Sequence, residues 1–208
     1  MTYWDERYRS TVPEERSWTE ADPLESLALI DALGLEPSDA LIDVGGGASQ
    51  LVDALLARGF VDLTVLDLAA SALDEARARL EDPTLASRVE WIVADVTSWS
   101  PVRTYRLWHD RAVFHFLTDA AAREDYVRVL LKATAVGSAV VLATFAPDGP
   151  ETCSGLPVAR HDAEGLATAI GPAFELTRAE RVMHTTPWGS TQPFTWAVLE
   201  RRTQRART

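Results

Sequence analysis

The stretch LIDVGGGASQL, residues 41–51, restricts the possible folds more than any other part of the chain. Its first four residues are a short, mostly apolar run ending at glycine, as a buried strand does. From Ser49 to Gly59 the chain sets Leu51, Val52, Leu55 and Leu56 at helical spacing, with Gly59 as a stop. Three consecutive glycines between strand and helix are costly to order, so bare backbone has a use at that turn. Strand, glycine-rich turn and helix in succession form an anion- and nucleotide-binding arrangement, because the helix N-terminus offers free N–H groups. Glycine also ends strands with no ligand nearby, so the turn alone does not decide for one.

The rest of the chain continues the alternation. Strands are expected at 61–67, 89–95, 105–110 and 138–146, the last being the most apolar and expected at the centre of a sheet. Helices are expected at 71–82 with Ser71 as N-cap, at 119–134 with Val127, Leu130 and Leu131 on the buried side, and at 162–171 capped by Asp162. Two β-rich runs, 173–184 and 193–202, are joined by the turn-rich TTPWGSTQ as in a hairpin. This order predicts an α/β fold: a Rossmann-like, doubly wound, mostly parallel seven-stranded sheet with a C-terminal antiparallel hairpin. Residues 1–208 are read as one domain, with the core over 40–208. The preceding 1–39 hold a helix over roughly 23–33 and need an explanation.

The 208 residues suffice for one domain with a buried core. A net charge of −11 argues against a nucleic-acid partner. No apolar run approaches a membrane span, and the first residues lack the layout of a signal peptide, so a cytoplasmic location is the expectation. The single cysteine, Cys153, makes no intrachain disulfide, and the histidines show no metal-binding spacing, so no metal is expected. Arg201, Arg202, Arg205 and Arg207 read as a frayed, solvated tail. Oligomeric state is not readable.

Two further acids sharpen the glycine turn. Asp67 ends the second strand and Asp95 the third, and in a doubly wound sheet these ends lie along the ligand edge. An acid at the first position can accept hydrogen bonds from both ribose hydroxyls. A polar group at the second can reach an adenine amino group. For NAD the fingerprint is GxGxxG; Gly45 and Gly47 match its first two positions, but Gln50 occupies the third. Asp43, two residues before the first glycine, would repel a pyrophosphate and suit a cationic ligand.

At these residues the chain resembles the class I S-adenosylmethionine (SAM)-dependent methyltransferases. LIDVGGGAS looks like their first motif, with Ser49 replacing its last glycine, and LTVLDLAASALDEARARL, VADVTSW and YRLWHDRAVFHFLTD resemble the next three. KATAVGSA departs from the usual turn before the fifth strand and keeps only Gly137. The resemblance implies that Asp43, Gly45, Gly46, Gly47, Ser49, Asp67, Leu68, Asp95 and Val96 bind SAM, Asp67 through the ribose and Asp95 and Val96 beside adenine. S-adenosylhomocysteine would be the product. The N-terminal YWDERYRS…SWTEADP is similar to a subset that includes thiol- and thiopurine-type methyltransferases and a group of protein-lysine methyltransferases. There this segment folds over the cofactor, which implies that residues 1–39 are a helical lid carrying Tyr3, Trp4, Tyr8 and Trp18, with Tyr8 and Trp18 against SAM. Packing of these aromatics onto the core is the alternative.

Methyl transfer is an in-line displacement in which the protein mainly aligns nucleophile, methyl and leaving sulfur. A nucleophile that carries a proton gains from a base; a thiolate does not. Asp110, at the predicted ligand edge of the fourth strand, is expected to bind substrate or the cofactor amine, with an N-cap as the alternative. His115 is the candidate general base, with a packed or surface histidine as its alternative. His109 alternates with Asp110 and is expected to face away. Cys153 lies in a Pro/Gly-rich loop expected to border the substrate, where a catalytic thiol is unnecessary. His161 reads as a pocket or pre-cap residue, and Trp188 as a pocket wall or a helix contact. The expected acceptor is a small molecule (thiol, amine, hydroxyl or carboxylate), with a protein lysine as runner-up. An NAD-dependent oxidoreductase and a non-catalytic SAM-binding protein are the other readings.

Overall fold

The computed structural model describes residues 2–203, so Arg205 and Arg207 of the basic tail lie outside the described residues. Five strands, β1 (Leu41–Val44), β2 (Leu63–Asp67), β3 (Val89–Val93), β4 (Tyr105–Arg111) and β5 (Thr134–Phe145), run parallel. A two-stranded ribbon, β6 (Thr152–Cys153) and β7 (Leu156–Pro157), follows β5. The hairpin of β8 (Phe174–Thr185) and β9 (Thr191–Arg201) then adds antiparallel to β5. The seven-stranded sheet has the order β3-β2-β1-β4-β5-β9-β8, as expected in strand number and direction. The middle strand is β4, with the more apolar β5 beside it. The chain leaves β1 towards β2 on one side and returns to β4 on the other, which opens a crevice at the strand ends.

The helices are α1 (Tyr3–Ser10), α2 (Leu24–Ala32), α3 (Leu51–Ala57), α4 (Ala70–Arg79), the single turn α5 (Pro83–Ala86), α6 (Ala120–Ala133) and α7 (Ala163–Ile170). Side chains alternate across each strand, and both faces are covered. Leu41 and Leu107 pack with Leu27, Ile30, Leu51 and Leu55 of α2 and α3. Ile42 and Trp108 pack with Tyr126, Leu130, Leu166 and Ile170 of α6 and α7. β5 is continuously buried from Ser138 to Phe145, as a strand covered on both faces must be. Among the described residues no helix is long and apolar enough to cross a membrane, and no cluster of potential metal ligands is present.

Three expectations change in detail and one holds. Ser71 is not an N-cap: α4 begins at Ala70, and the Ser71 hydroxyl donates instead to the Asp5 carboxylate at 3.1 Å. The buried face of α6 is Tyr126, Val129, Leu130 and Ala133, one position away from Val127 and Leu131, because Tyr126 turns inward to Trp108. Asp162 caps α7 as expected, accepting from the Gly165 N–H at 2.7 Å. Arg201 and Arg202 are not frayed: Arg201 ends β9 and donates to the carbonyls of Leu131 and Thr134, and the Arg202 N–H reaches the Ala173 carbonyl at 2.9 Å.

Candidate active site

The glycine turn is a tight junction as well as a cradle. Gly45 has φ +65°, and a Cβ there would lie 1.9 Å from Val113 Cγ2. Gly47 has φ +48°, and a Cβ there would lie 2.6 Å from the Tyr8 hydroxyl. Both positions combine a left-handed backbone with no room for a side chain. Beside the turn lies a cavity of about 460 Å³. Asp43, Gly45, Gly46, Ser49, Asp67, Leu68, Asp95, Val96, Tyr8 and Trp18 all line it. Of the expected cofactor set, Gly47 is set back from the wall, beneath Tyr8. A groove of about 540 Å³ on the hairpin side is larger, but neither the glycines nor Asp67 nor Asp95 reaches it.

The acids differ in their surroundings. Asp67 is 8% exposed; its Oδ1 accepts the Ala69 N–H at 2.8 Å and its Oδ2 faces the glycine turn. Burial pushes its carboxyl up to about 7, with the Asp43 charge adding in the same direction against the Ala69 hydrogen bond. Asp95 is exposed and accepts from the Thr97 N–H at 2.8 Å and the Thr97 hydroxyl at 2.6 Å. Asp43 is paired through Oδ1 with His109 Nδ1 at 2.7 Å, and His109 Nε2 lies 3.0 Å from Ser26 Oγ. Arg79 closes the turn from outside, donating to the Ala48 and Ser49 carbonyls at 2.9 and 2.7 Å.

The N-terminal segment covers the cavity and is held at three points. Asp5, inside the α1 capping box with Thr2, also accepts from the Ser71 N–H and hydroxyl at the start of α4. Backbone hydrogen bonds from Thr2 and Ser71 hold its carboxyl down at about 2. Arg16 is 3% exposed, grips both Glu75 oxygens at 2.9 Å and donates to the Tyr8 and Thr11 carbonyls. Arg111, at the end of β4, donates to Glu20 at 2.7 Å and to the Trp18 carbonyl at 2.9 Å. These contacts aim an aromatic group inward. Trp4 stands edge-to-face on Trp18 and Phe116 at centroid distances of 5.9 and 5.0 Å, and Trp18 donates to the Tyr8 hydroxyl at 3.2 Å. Burial and the Asp67 charge raise the Tyr8 hydroxyl, so it stays neutral.

Asp110 and His115, the expected catalytic pair, do not line the cavity. Strand alternation explains Asp110. In the β1–β4 register Asp43 faces His109, so the even-numbered Asp110 lies on the α6 face. There it is fully buried and accepts from the Tyr126 hydroxyl at 2.7 Å and from the Val113 and Phe114 N–H groups at 2.9 and 3.2 Å. It therefore anchors the turn after β4, and burial raises its carboxyl to about 6. His115 is also fully buried, packed on Phe116 and Phe145 at centroid distances of 4.4 and 4.9 Å, with neither ring nitrogen hydrogen-bonded. Desolvation lowers its pKa to about 3. A general base must reach the proton that it removes, and the His115 nitrogens are sealed in the core. His109, expected to face away, lines the cavity instead. Cys153 borders it too, and burial raises the thiol, which suits a wall residue better than a nucleophile. Trp188 is 56% exposed and lines neither the cavity nor the groove. His161 is half-buried, 5.7 Å from the Phe114 ring and outside the cavity wall. Glu20, Arg111 and Phe116 join the wall from within the quoted segments without having been singled out as site residues, and Ser26 joins it from outside all of them.

Residues 41–134 match the family model described as a methyltransferase domain. Among curated proteins, a 69-residue stretch covering 33% of this chain is 36% identical to the ubiquinone/menaquinone biosynthesis C-methyltransferase UbiE of Roseobacter denitrificans. That match spans 28% of the relative's own length. Similarity to solved structures extends over nearly the whole chain. A protein solved in work on the conversion of a disulfide bond into a thioacetal group during echinomycin biosynthesis superposes with a TM-score of 0.76 at 16% identity, over 98% of this chain and 92% of that one. A SAM-dependent methyltransferase from Anabaena variabilis gives 0.70 at 18% identity, over 96% and 93%. Other chains of this fold were solved with S-adenosylhomocysteine or SAM bound. With the glycine turn, the acids at the strand ends and the sheet order in place, residues 41–134 match a methyltransferase domain and the chain has the fold of SAM-dependent methyltransferases.

Proposed function

We propose that the protein transfers a methyl group from SAM to a small-molecule acceptor held under its N-terminal segment. One observation carries this reading: a single covered cavity joins the polar edge formed by the glycine turn, Asp67 and Asp95 to an aromatic wall of Trp4, Trp18 and Phe116. The polar edge suits the cofactor. Gly45, Gly46 and Ser49 offer main chain, Asp67 offers a carboxylate for the ribose hydroxyls, Asp95 and Val96 border the adenine, and Asp43 faces the amino-acid end. When bound, SAM supplies an activated methyl group and a thioether leaving group. The residues of the chain then exclude water and align the acceptor.

Residues 1–39 act as the lid in this reading. Tyr8 and Trp18 lie over the ribose end, and Asp5 and Arg16 fasten the segment to α4. The aromatic wall favours an acceptor with a flat or apolar body, which buries its surface against the rings. The small-molecule reading also agrees with the UbiE relatives, whose name places them in ubiquinone and menaquinone biosynthesis. Asp110 and His115 drop out as substrate-binding residue and general base.

The test combines binding with transfer. S-adenosylhomocysteine should bind saturably in calorimetry. Labelled SAM should then methylate members of a small-molecule panel of thiols, amines, phenols and carboxylates. Trp18→Ala should lower turnover of the best acceptor at least as strongly as it weakens S-adenosylhomocysteine. Absence of saturable binding would remove the reading. Label passing only to proteins of a cell extract would replace the small acceptor with a protein lysine.

A further inference from the structure

Asp43 is 8% exposed, and a carboxylate that far from bulk water needs hydrogen-bond partners. Its β4 neighbour in the ladder supplies one: His109 Nδ1 lies 2.7 Å from Asp43 Oδ1. An ionised carboxylate only accepts, so the proton of this contact sits on Nδ1. In the neutral ring Nε2 then carries a lone pair, and the Ser26 hydroxyl, 3.0 Å away on α2, donates to it. Ser26 is 1% exposed and His109 is 3% exposed. The result is an ordered chain, Ser26 to His109 to Asp43, built from residues 83 and 66 positions apart.

All three residues line the cofactor cavity. Asp43 Oδ1 is occupied by His109, whereas Oδ2 turns towards the glycine loop, 2.5 Å from where a Cβ on Gly46 would stand. Two other cavity carboxylates are already engaged, Glu20 by Arg111 and Glu75 by Arg16. Asp67, at the far side of the glycines, suits hydroxyl groups. Asp43 is thus the carboxylate with an oxygen free for a cation at that end.

We propose that Ser26 and His109 are positioning residues that hold Asp43 with Oδ2 aimed at the ammonium group of the cofactor's amino-acid end. The inference rests on the cofactor placement proposed above. It makes α2, which precedes the glycine motif in the chain, part of the binding apparatus. Locked neighbours spare a binding group the entropy of being fixed by its ligand, as they do around metal ligands and designed sites. With the imidazole gone, Asp43 keeps its charge but loses the contact that selects its rotamer. Ser26→Ala acts one step further out, leaving the ring free to turn.

The experiment compares two ligands by calorimetry: S-adenosylhomocysteine, which carries the ammonium, and 5′-methylthioadenosine, which lacks the amino-acid end. His109→Leu should weaken S-adenosylhomocysteine by about tenfold to a hundredfold, the range for a hydrogen bond to a charged group, and methylthioadenosine by less than about twofold. Ser26→Ala should shift the ratio in the same direction by about threefold to tenfold. His109→Asn, whose amide N–H can stand in for Nδ1–H, should recover most of the loss. If His109→Leu does not fold, Ser26→Ala and His109→Asn carry the comparison, since neither removes much volume from the core. Equal weakening of both ligands, or none of S-adenosylhomocysteine, would overturn the positioning role. Wild-type protein that binds neither ligand would overturn the cofactor placement itself.

Discussion

On the proposed cofactor placement, Asp67 should make cofactor binding depend on pH. In the ligand-free protein burial holds its carboxyl up at about 7. A ribose that donates two hydroxyl protons needs the ionised form, because a protonated carboxyl carries a competing O–H. Below about pH 7, binding must therefore expel a proton first. The ionised fraction falls from about 0.9 at pH 8 to about 0.1 at pH 6, so the Kd of S-adenosylhomocysteine should rise about tenfold, or about 1.4 kcal/mol. Calorimetry at these two values in buffers of different ionisation enthalpy would also count the proton: close to one released at pH 6 and few at pH 8. Asp67→Asn should bind weakly at both values and lose most of the slope. A wild-type Kd constant between pH 6 and 8, or a slope that survives in Asp67→Asn, would refute the assignment.

Other expectations follow from the packing. His115 is buried neutral, with a folded pKa of about 3 against about 6.5 unfolded. Its contribution is present above about pH 6.5 and is lost as pH falls, by about 2 kcal/mol at about pH 5. His115→Leu, which also removes two buried unpaired nitrogens, should raise the denaturation midpoint, and more so at about pH 5 than at about pH 7.5; a pH-independent difference would contradict the burial. Gly47→Ala combines a left-handed φ with the Tyr8 hydroxyl in the way and should lose about 1–2 kcal/mol in urea unfolding, with weaker ligand binding. Arg16→Met should loosen the N-terminal segment, seen as faster limited proteolysis between residues 10 and 23, because it removes both Glu75 contacts and two carbonyl contacts. Unchanged cleavage would place the hold elsewhere. Trp188→Ala, at an exposed turn, should change stability by less than about 0.5 kcal/mol and leave S-adenosylhomocysteine affinity intact.

The parts legible in the sequence are those with a local cause. Alternating apolar runs and amphipathic helices, punctuated by Gly45–Gly47, Gly59 and Asp162, predicted strand number, direction and the hairpin, because period and capping are read over a few residues. Asp43, Asp67 and Asp95 were legible for the same reason: each sits at or beside the end of a strand whose C-terminus must lie on the crevice edge. Only the tertiary structure decided between His109 and Asp110. Adjacent strand residues face opposite layers, and which layer holds the cavity depends on the register of β4 against β1 and on the helix that covers each face. The same holds for His115, whose residue type suggests a base but whose enclosure by Phe116 and Phe145 removes it from any substrate. Ser26 lies outside every quoted segment, and nothing local to Glu20 or Arg111 singles them out within theirs. They become part of the cavity because α2 and the segment before it fold back onto strands far along the chain, and such long-range contacts leave no trace in residue spacing.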